Sequence, residues 1–211
     1  MKAMLAGASG MIGKELLKKL VDSKYYAQIY ILVRQKIENL DLDIIQIVYD
    51  FENNTPILPV VDHVFCCLGT TISKAGSKEA FSKVDKQYPL QLAQITKTNG
   101  ASLYCIVTAG GANTKSSIFY NRVKGEVETE LIAMEFRHLG IFRPSMLLGE
   151  RNENRPFERA GQILMTALDF LIPKRYKAIQ GEKVARAMKN FAIQPTQKIR
   201  IFESDEMNVK E

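Results

Sequence analysis

The chain has 211 residues, 46% of them hydrophobic and 25% charged, with a formal net charge of +6. That profile excludes a disordered or fibrous chain and fits one globular domain with a good-sized core. The basic residues are scattered, Lys174-Arg175 with Lys177 being about the densest group, so nucleic-acid binding is not expected, whereas an anionic ligand suits the surface.

Residues 2–6 read as a strand, and Ile12, Leu16, Leu17 and Leu20 give 11–22 one apolar helix face. Between them, Gly7-Ala-Ser-Gly10-Met-Ile-Gly13 must turn too tightly for most side chains. A glycine turn from strand to helix brings backbone N–H groups against a pyrophosphate at the helix N-terminus. Three glycines also make ordinary tight turns; their place between strand and helix is what favours a dinucleotide. The apolar run Ile29–Val33 reads as a strand covered on both faces, followed by strands at 43–49 and 60–67. Phe81, Val84, Tyr88, Leu92 and Ile95 predict a helix over 77–99, stopped by Asn99-Gly100.

Further on, 103–107 reads as a strand, 117–138 as a helix capped by Ser116 or Ser117, and 141–142 as a short strand closed by Arg143-Pro144. Beyond residue 150 come a polar loop, a helix to about 171, a last helix at 181–192, an edge strand at 199–201 and a charged tail over 203–211. Strand–helix alternation of this kind predicts an α/β protein, a doubly wound parallel sheet with helices on both faces. One domain spans 1–211, with a cofactor-binding core at 1–150 and a small lid region and tail at 151–211. Cys66, Cys67 and Cys105 lie in apolar runs without a Cys-x-x-Cys or a His cluster. No metal site is expected, and buried reduced thiols point to a cytoplasmic protein. No stretch approaches transmembrane length.

Two positions speak to chemistry. Arg34, at the end of the second strand and about twenty residues past the glycines, suits the 2′-phosphate of NADP(H), where an acidic residue would favour NAD. Tyr120 and Lys124 stand one helical turn apart on the helix after the fifth strand. In hydride-transfer reductases a tyrosine of this kind protonates the carbonyl oxygen as hydride reaches the carbon, and the lysine's charge lowers the phenol's pKa and can bond cofactor ribose hydroxyls. Such pairs also arise by chance, and it is the placement after the fifth strand that makes this one a candidate. Asp50, after the third strand, is a candidate adenine contact or a turn former. His63 and His138 read as structural.

On these residues the chain resembles a short-chain dehydrogenase/reductase, within it the small atypical TIP30-like group. The matching stretches are Gly7–Gly13, Asp62–Thr71 (DHVFCCLGTT), Ala75–Phe81, Val84-Asp85, Tyr120–Glu126 (YNRVKGE) and Phe142–Glu150 (FRPSMLLGE), with Val184–Met188 beyond them. The resemblance implies a Rossmann fold and NADP(H) held by Gly7, Ser9, Gly10 and Ile12, with Met11 and Gly13 in the same turn. It implies Leu68, Gly69 and Thr70 along the cofactor, Pro144 near the nicotinamide carboxamide, and Tyr120 and Lys124 in catalysis. The group reads Ser-Ser where this chain has Thr108-Ala109, so the orienting hydroxyl is carried over to Thr108. Two functions follow: reduction of a small carbonyl substrate, or a non-catalytic NADP(H)-binding module. Partners expected from the resemblance are a second copy, as a homodimer, or a regulatory protein.

Overall fold

The computed structural model describes residues 1–40, 43–148 and 177–208. Seven strands form one sheet in the order β3-β2-β1-β4-β5-β6-β9. They are β1 (Lys2–Ala6), β2 (Gln28–Val33), β3 (Ile44–Val48), β4 (His63–Cys66), β5 (Leu103–Val107), β6 (His138–Arg143) and β9 (Ile199–Glu203). Every pairing is parallel. A two-stranded ladder joins β7 (Leu147–Leu148) to β8 (Ile179–Gln180).

The period-two alternation of the strands sends alternate residues to opposite faces. Ala3, Leu5, Ile31, Phe65 and Cys105 pack under α1 (Met11–Asp22) and a later helix over Gly181–Ile193. Met4, Ala6, Val64, Cys66 and Tyr104 pack under α4 (Tyr88–Thr98) and α5 (Phe119–Ala133). With α2 (Ile72–Ala75) and α3 (Lys78–Ser82), the Gly181–Ile193 helix is α6, and α7 is Ser204–Met207. The parallel sheet with helices on both faces is the doubly wound Rossmann architecture.

The differences from the sequence reading have local causes. The helix over 77–99 is three pieces, with a π-helical turn at Lys83–Gln87 between α3 and α4. Pro89 has no N–H to bond the carbonyl four residues back, which frees the turn to widen. α5 stops at Ala133, with Glu135 at φ 55°, so His138 opens β6 instead of ending a helix. The N-cap of α5 is Ile118; Ser116 Oγ accepts from the Ile118 amide at 3.1 Å, and neither serine caps the helix. The region assigned to a lid and tail contributes α6 to the layer over the sheet and β9 as its seventh strand. The tail carries α7, opened by a Glu203–Glu206 capping box. The loop and helix expected over 151–171 lie outside the described residues. Among the described residues, no helix is long and apolar enough to cross a membrane.

Candidate functional site

The glycine turn is built by contacts that leave no room for a Cβ. Gly7 has φ +86°, and a Cβ there would lie 2.5 Å from the Cys67 carbonyl oxygen; one at Gly13 would lie 2.0 Å from the Gly7 carbonyl oxygen. Gly10 is the N-cap of α1 and offers no side-chain cap, and the first turn carries no acidic residue. The amides of Met11, Ile12 and Gly13 thus face outward from a cradle of backbone, a fit for the diphosphate of a dinucleotide. Ser9 is exposed at its rim. Beside it, Gly181 opens α6 against Met11, where a Cβ would meet the Met11 side chain at 3.3 Å and its carbonyl oxygen at 3.4 Å.

Arg34 directly follows β2 and lines an open cleft of about 530 Å³ with Val48, Tyr49, Asp50, Thr55 and Pro56. The parallel β2–β3 register, Val33 opposite Val48, sets Arg34 and the 50–55 turn side by side. Asp50 Oδ2 accepts from Asn53 Nδ2 at 2.6 Å and Oδ1 from the Glu52 amide at 2.8 Å; these two bonds hold the carboxyl below its ordinary pKa. Asp50 thus forms the turn while lining the same cleft as Arg34. Phe51 stacks on Tyr88 at 4.8 Å, anchoring the turn to α4.

Past β4, the loop 68–70 begins against the glycine turn, since a Cβ on Gly7 would stand 3.0 Å from the Leu68 amide nitrogen. The Thr70 N–H donates to Asp85 Oδ2 at 2.9 Å. Asp85 Oδ1 in turn lies 2.8 Å from Lys124 Nζ, both side chains being almost fully buried. Burial works against the Lys124 charge, but the fields of Asp85 and Tyr120 outweigh it and raise the pKa above that of an ordinary lysine. Tyr120, one turn earlier, is half-buried with its ring 5.5 Å from Phe81 of α3. An unbroken set of contacts thus joins the glycine turn to Tyr120. Gly125 permits it: a Cβ there would sit 2.4 Å from the Asn113 carbonyl carbon and the Thr114 amide nitrogen, separating α5 from its preceding loop.

Thr108 does not join this group. It is 4% exposed, and its hydroxyl donates to Glu128 Oε1 at 2.6 Å. Glu128 also receives Arg143 Nε at 3.0 Å and a second guanidinium nitrogen at 2.5 Å, while Arg143 reaches Glu203 at 3.1 Å. The hydroxyl carried over to Thr108 is thus buried and bonded to Glu128, and Ala109 beside it carries no hydroxyl. Pro144 is buried, and its carbonyl accepts from the Gly110 amide at 2.8 Å. It holds the ends of β5 and β6 together. The sequence reading assigned no role to Asp85, Glu128 or Arg143; Val84-Asp85 had appeared only as a matching motif.

The rat protein HTATIP2 is 35% identical over 197 residues, covering 90% of this chain and 81% of its own. The chain belongs to the HTATIP2 (TIP30) and FMP52 family. That family is an atypical branch of the NAD(P)-binding short-chain dehydrogenase/reductases. FMP52 of Eremothecium gossypii is 32% identical over 216 residues, covering 98% of this chain and 96% of that protein. A family model described as "Male sterility protein" (NAD_binding_4) matches residues 5–64. Among solved structures, MoeE5 in complex with UDP-glucose and NAD superposes with a TM-score of 0.73 at 14% identity, over 96% of this chain and 75% of its own. A UDP-glucose 4-epimerase of Thermotoga maritima gives 0.67 at 16%, over 96% and 77%. Both share the fold. FMP52 relatives carry the description mitochondrial, including that of Saccharomyces cerevisiae, which overturns the expectation of a cytoplasmic protein drawn from the cysteines.

Proposed function

We propose that this HTATIP2/FMP52-family oxidoreductase is an NADPH-dependent reductase of small carbonyl compounds, with Tyr120 as the proton donor. The observation behind it is the buried Lys124 ammonium, one turn from Tyr120 and joined through Asp85 to the loop that starts at the glycine turn. Bound NADPH would supply a hydride to the carbonyl carbon. Tyr120 gives its phenolic proton to the carbonyl oxygen, and the Lys124 charge stabilises the phenolate left behind. The backbone amides of 11–13 bind the diphosphate, and Arg34 takes the 2′-phosphate through bidentate bonds.

A thermal-shift comparison of NADPH, NADH and no ligand tests the cofactor. Ligand at a hundred times its dissociation constant adds about 2.7 kcal/mol of stability, and the shift is expected with NADPH. Tyr120→Phe is expected to abolish turnover while leaving NADPH affinity intact; unchanged turnover removes the assignment.

One observation favours a second reading, a non-catalytic NADP(H)-binding module whose bound state sets a surface for a regulatory protein. The Thr108 hydroxyl is committed to Glu128, and Ala109 has none to offer a substrate. No reduction across a broad carbonyl panel, together with an NADPH-dependent protein complex, would decide for this reading.

A further inference from the structure

We infer that Asp85 is a positioning residue of this site, one carboxylate oxygen fixing the Lys124 ammonium and the other the Thr70 amide, so that the Tyr120 helix and the cofactor-side loop are held as one piece. The inference deepens the proposed reductase function and takes its catalytic meaning from it. The two contacts measure 2.8 and 2.9 Å, and the Asp85 side chain is 1% exposed. With water excluded, a buried ammonium has few alternative partners, so the carboxylate sets both its place and its charge.

The backbone is shaped for the same contact. Asp85 sits in the π-helical turn Lys83–Gln87, between two α-helical pieces. A widened turn of this sort re-aims one side chain out of the regular helical sequence of faces. Around Lys124, the ionisable groups that act on its charge are Asp85 from the π turn, Tyr120 on α5 itself and Cys66 from β4. Glu128, one turn further along α5, is occupied by Arg143 and Thr108. Asp85 is the first of the groups that favour the charged lysine. Without it, burial dominates, and the ammonium gives up its proton more readily.

The test uses the full chain carrying Asp85→Asn, which keeps an oxygen acceptor for Thr70 but loses the charge. Carbon-labelled lysine is titrated by NMR, with the Lys124 signal assigned through Lys124→Arg. NADPH affinity and thermal melting are measured on the same samples. In a variant that still melts cooperatively, the Lys124 midpoint is expected to fall by about one pH unit or more, a tenfold loss in proton affinity. The NADPH dissociation constant is expected to rise about tenfold in parallel. Asp85→Glu, which keeps the charge, is expected to retain the Lys124 midpoint, and it serves as the deciding variant against Lys124→Arg if the asparagine protein does not fold. An Asn variant with an unchanged lysine midpoint, or with unchanged NADPH affinity, overturns the inference, as does a Glu variant whose midpoint falls. If the unmodified protein does not bind NADPH at all, the reductase reading fails, and the lysine titration alone decides on Asp85.

Discussion

Thr108 donates its hydroxyl to Glu128 across 2.6 Å, and the same carboxylate is gripped twice by Arg143. This places a hydroxyl that the resemblance had assigned to substrate inside a charge-assisted core network spanning β5, β6 and α5. Hydrogen bonds to charged groups contribute about 1.5–3 kcal/mol. Thr108→Val, nearly isosteric, is expected to lower unfolding free energy by that amount in denaturant titration. NADPH affinity and turnover should stay within about twofold. A stable variant with turnover down a hundredfold would return Thr108 to the catalytic group.

Arg34 is exposed at the mouth of its cleft and borders Asp50 and Thr55. Removing an exposed guanidinium costs the fold little, so Arg34→Ala should melt like the parent. Lost bidentate bonds to a phosphate should weaken NADPH by tenfold or more, on the order of 1.5–3 kcal/mol, and leave NADH within about twofold. Equal losses for both cofactors in direct binding measurements would show that Arg34 does not read the 2′-phosphate.

The sheet was legible because its strands are short apolar runs with glycine or polar ends, and period two needs no tertiary information. β1 and α1 have the expected bounds, and β5 matches to the residue. The glycine turn was legible for a similar reason: local geometry dictates it. What stayed hidden depends on partners far along the chain. Asp85 faces inward because a π turn, which no apolar spacing announces, rotates it towards Lys124, 39 positions on. The bond that ties up the Thr108 hydroxyl was hidden for the same reason, since Glu128 stands on another element altogether. α5 ends early with Glu135 in a left-handed backbone, a conformation uncommon for a non-glycine residue and so not announced by the sequence.

His63 should make stability depend on pH. It is buried in β4, its Nδ1 2.9 Å from the Tyr26 hydroxyl, and burial pushes its pKa down to about 4. The unfolded imidazole takes a proton near 6.5, which the folded one refuses until about 4. Its contribution is therefore complete above about pH 6.5 and is lost as pH falls towards 4, in total about 3 kcal/mol. Urea titrations should lose about 2 kcal/mol between pH 7.5 and pH 5 from this group. His63→Gln, which keeps a hydrogen-bonding side chain but cannot charge, should flatten that part of the profile. An identical slope in both proteins would assign the dependence elsewhere.

Gly10 and Gly13 are three residues apart in the same turn, yet substituting them should have opposite consequences. A Cβ on Gly13 would meet the Gly7 carbonyl oxygen at 2.0 Å and its carbon at 2.8 Å, and backbone cannot swing aside as a side chain does. Alanine's better helix propensity, worth about 1 kcal/mol, is small against such an overlap. Gly13→Ala is expected to give little folded protein, whatever ligand is present. At Gly10 the nearest atom is the Gly7 carbonyl oxygen at 3.3 Å, and φ is −76°, which alanine adopts freely. Gly10→Ala should therefore fold, losing about 1 kcal/mol or less as a poorer N-cap. Its methyl group would nevertheless stand at the mouth of the α1 amides, where the diphosphate must come close. NADPH affinity should fall at least tenfold by titration while the melting temperature hardly moves. If Gly10→Ala binds NADPH like the parent, the diphosphate does not lie on this turn. If Gly13→Ala folds normally, the tight Gly7–Gly13 packing is not what shapes it.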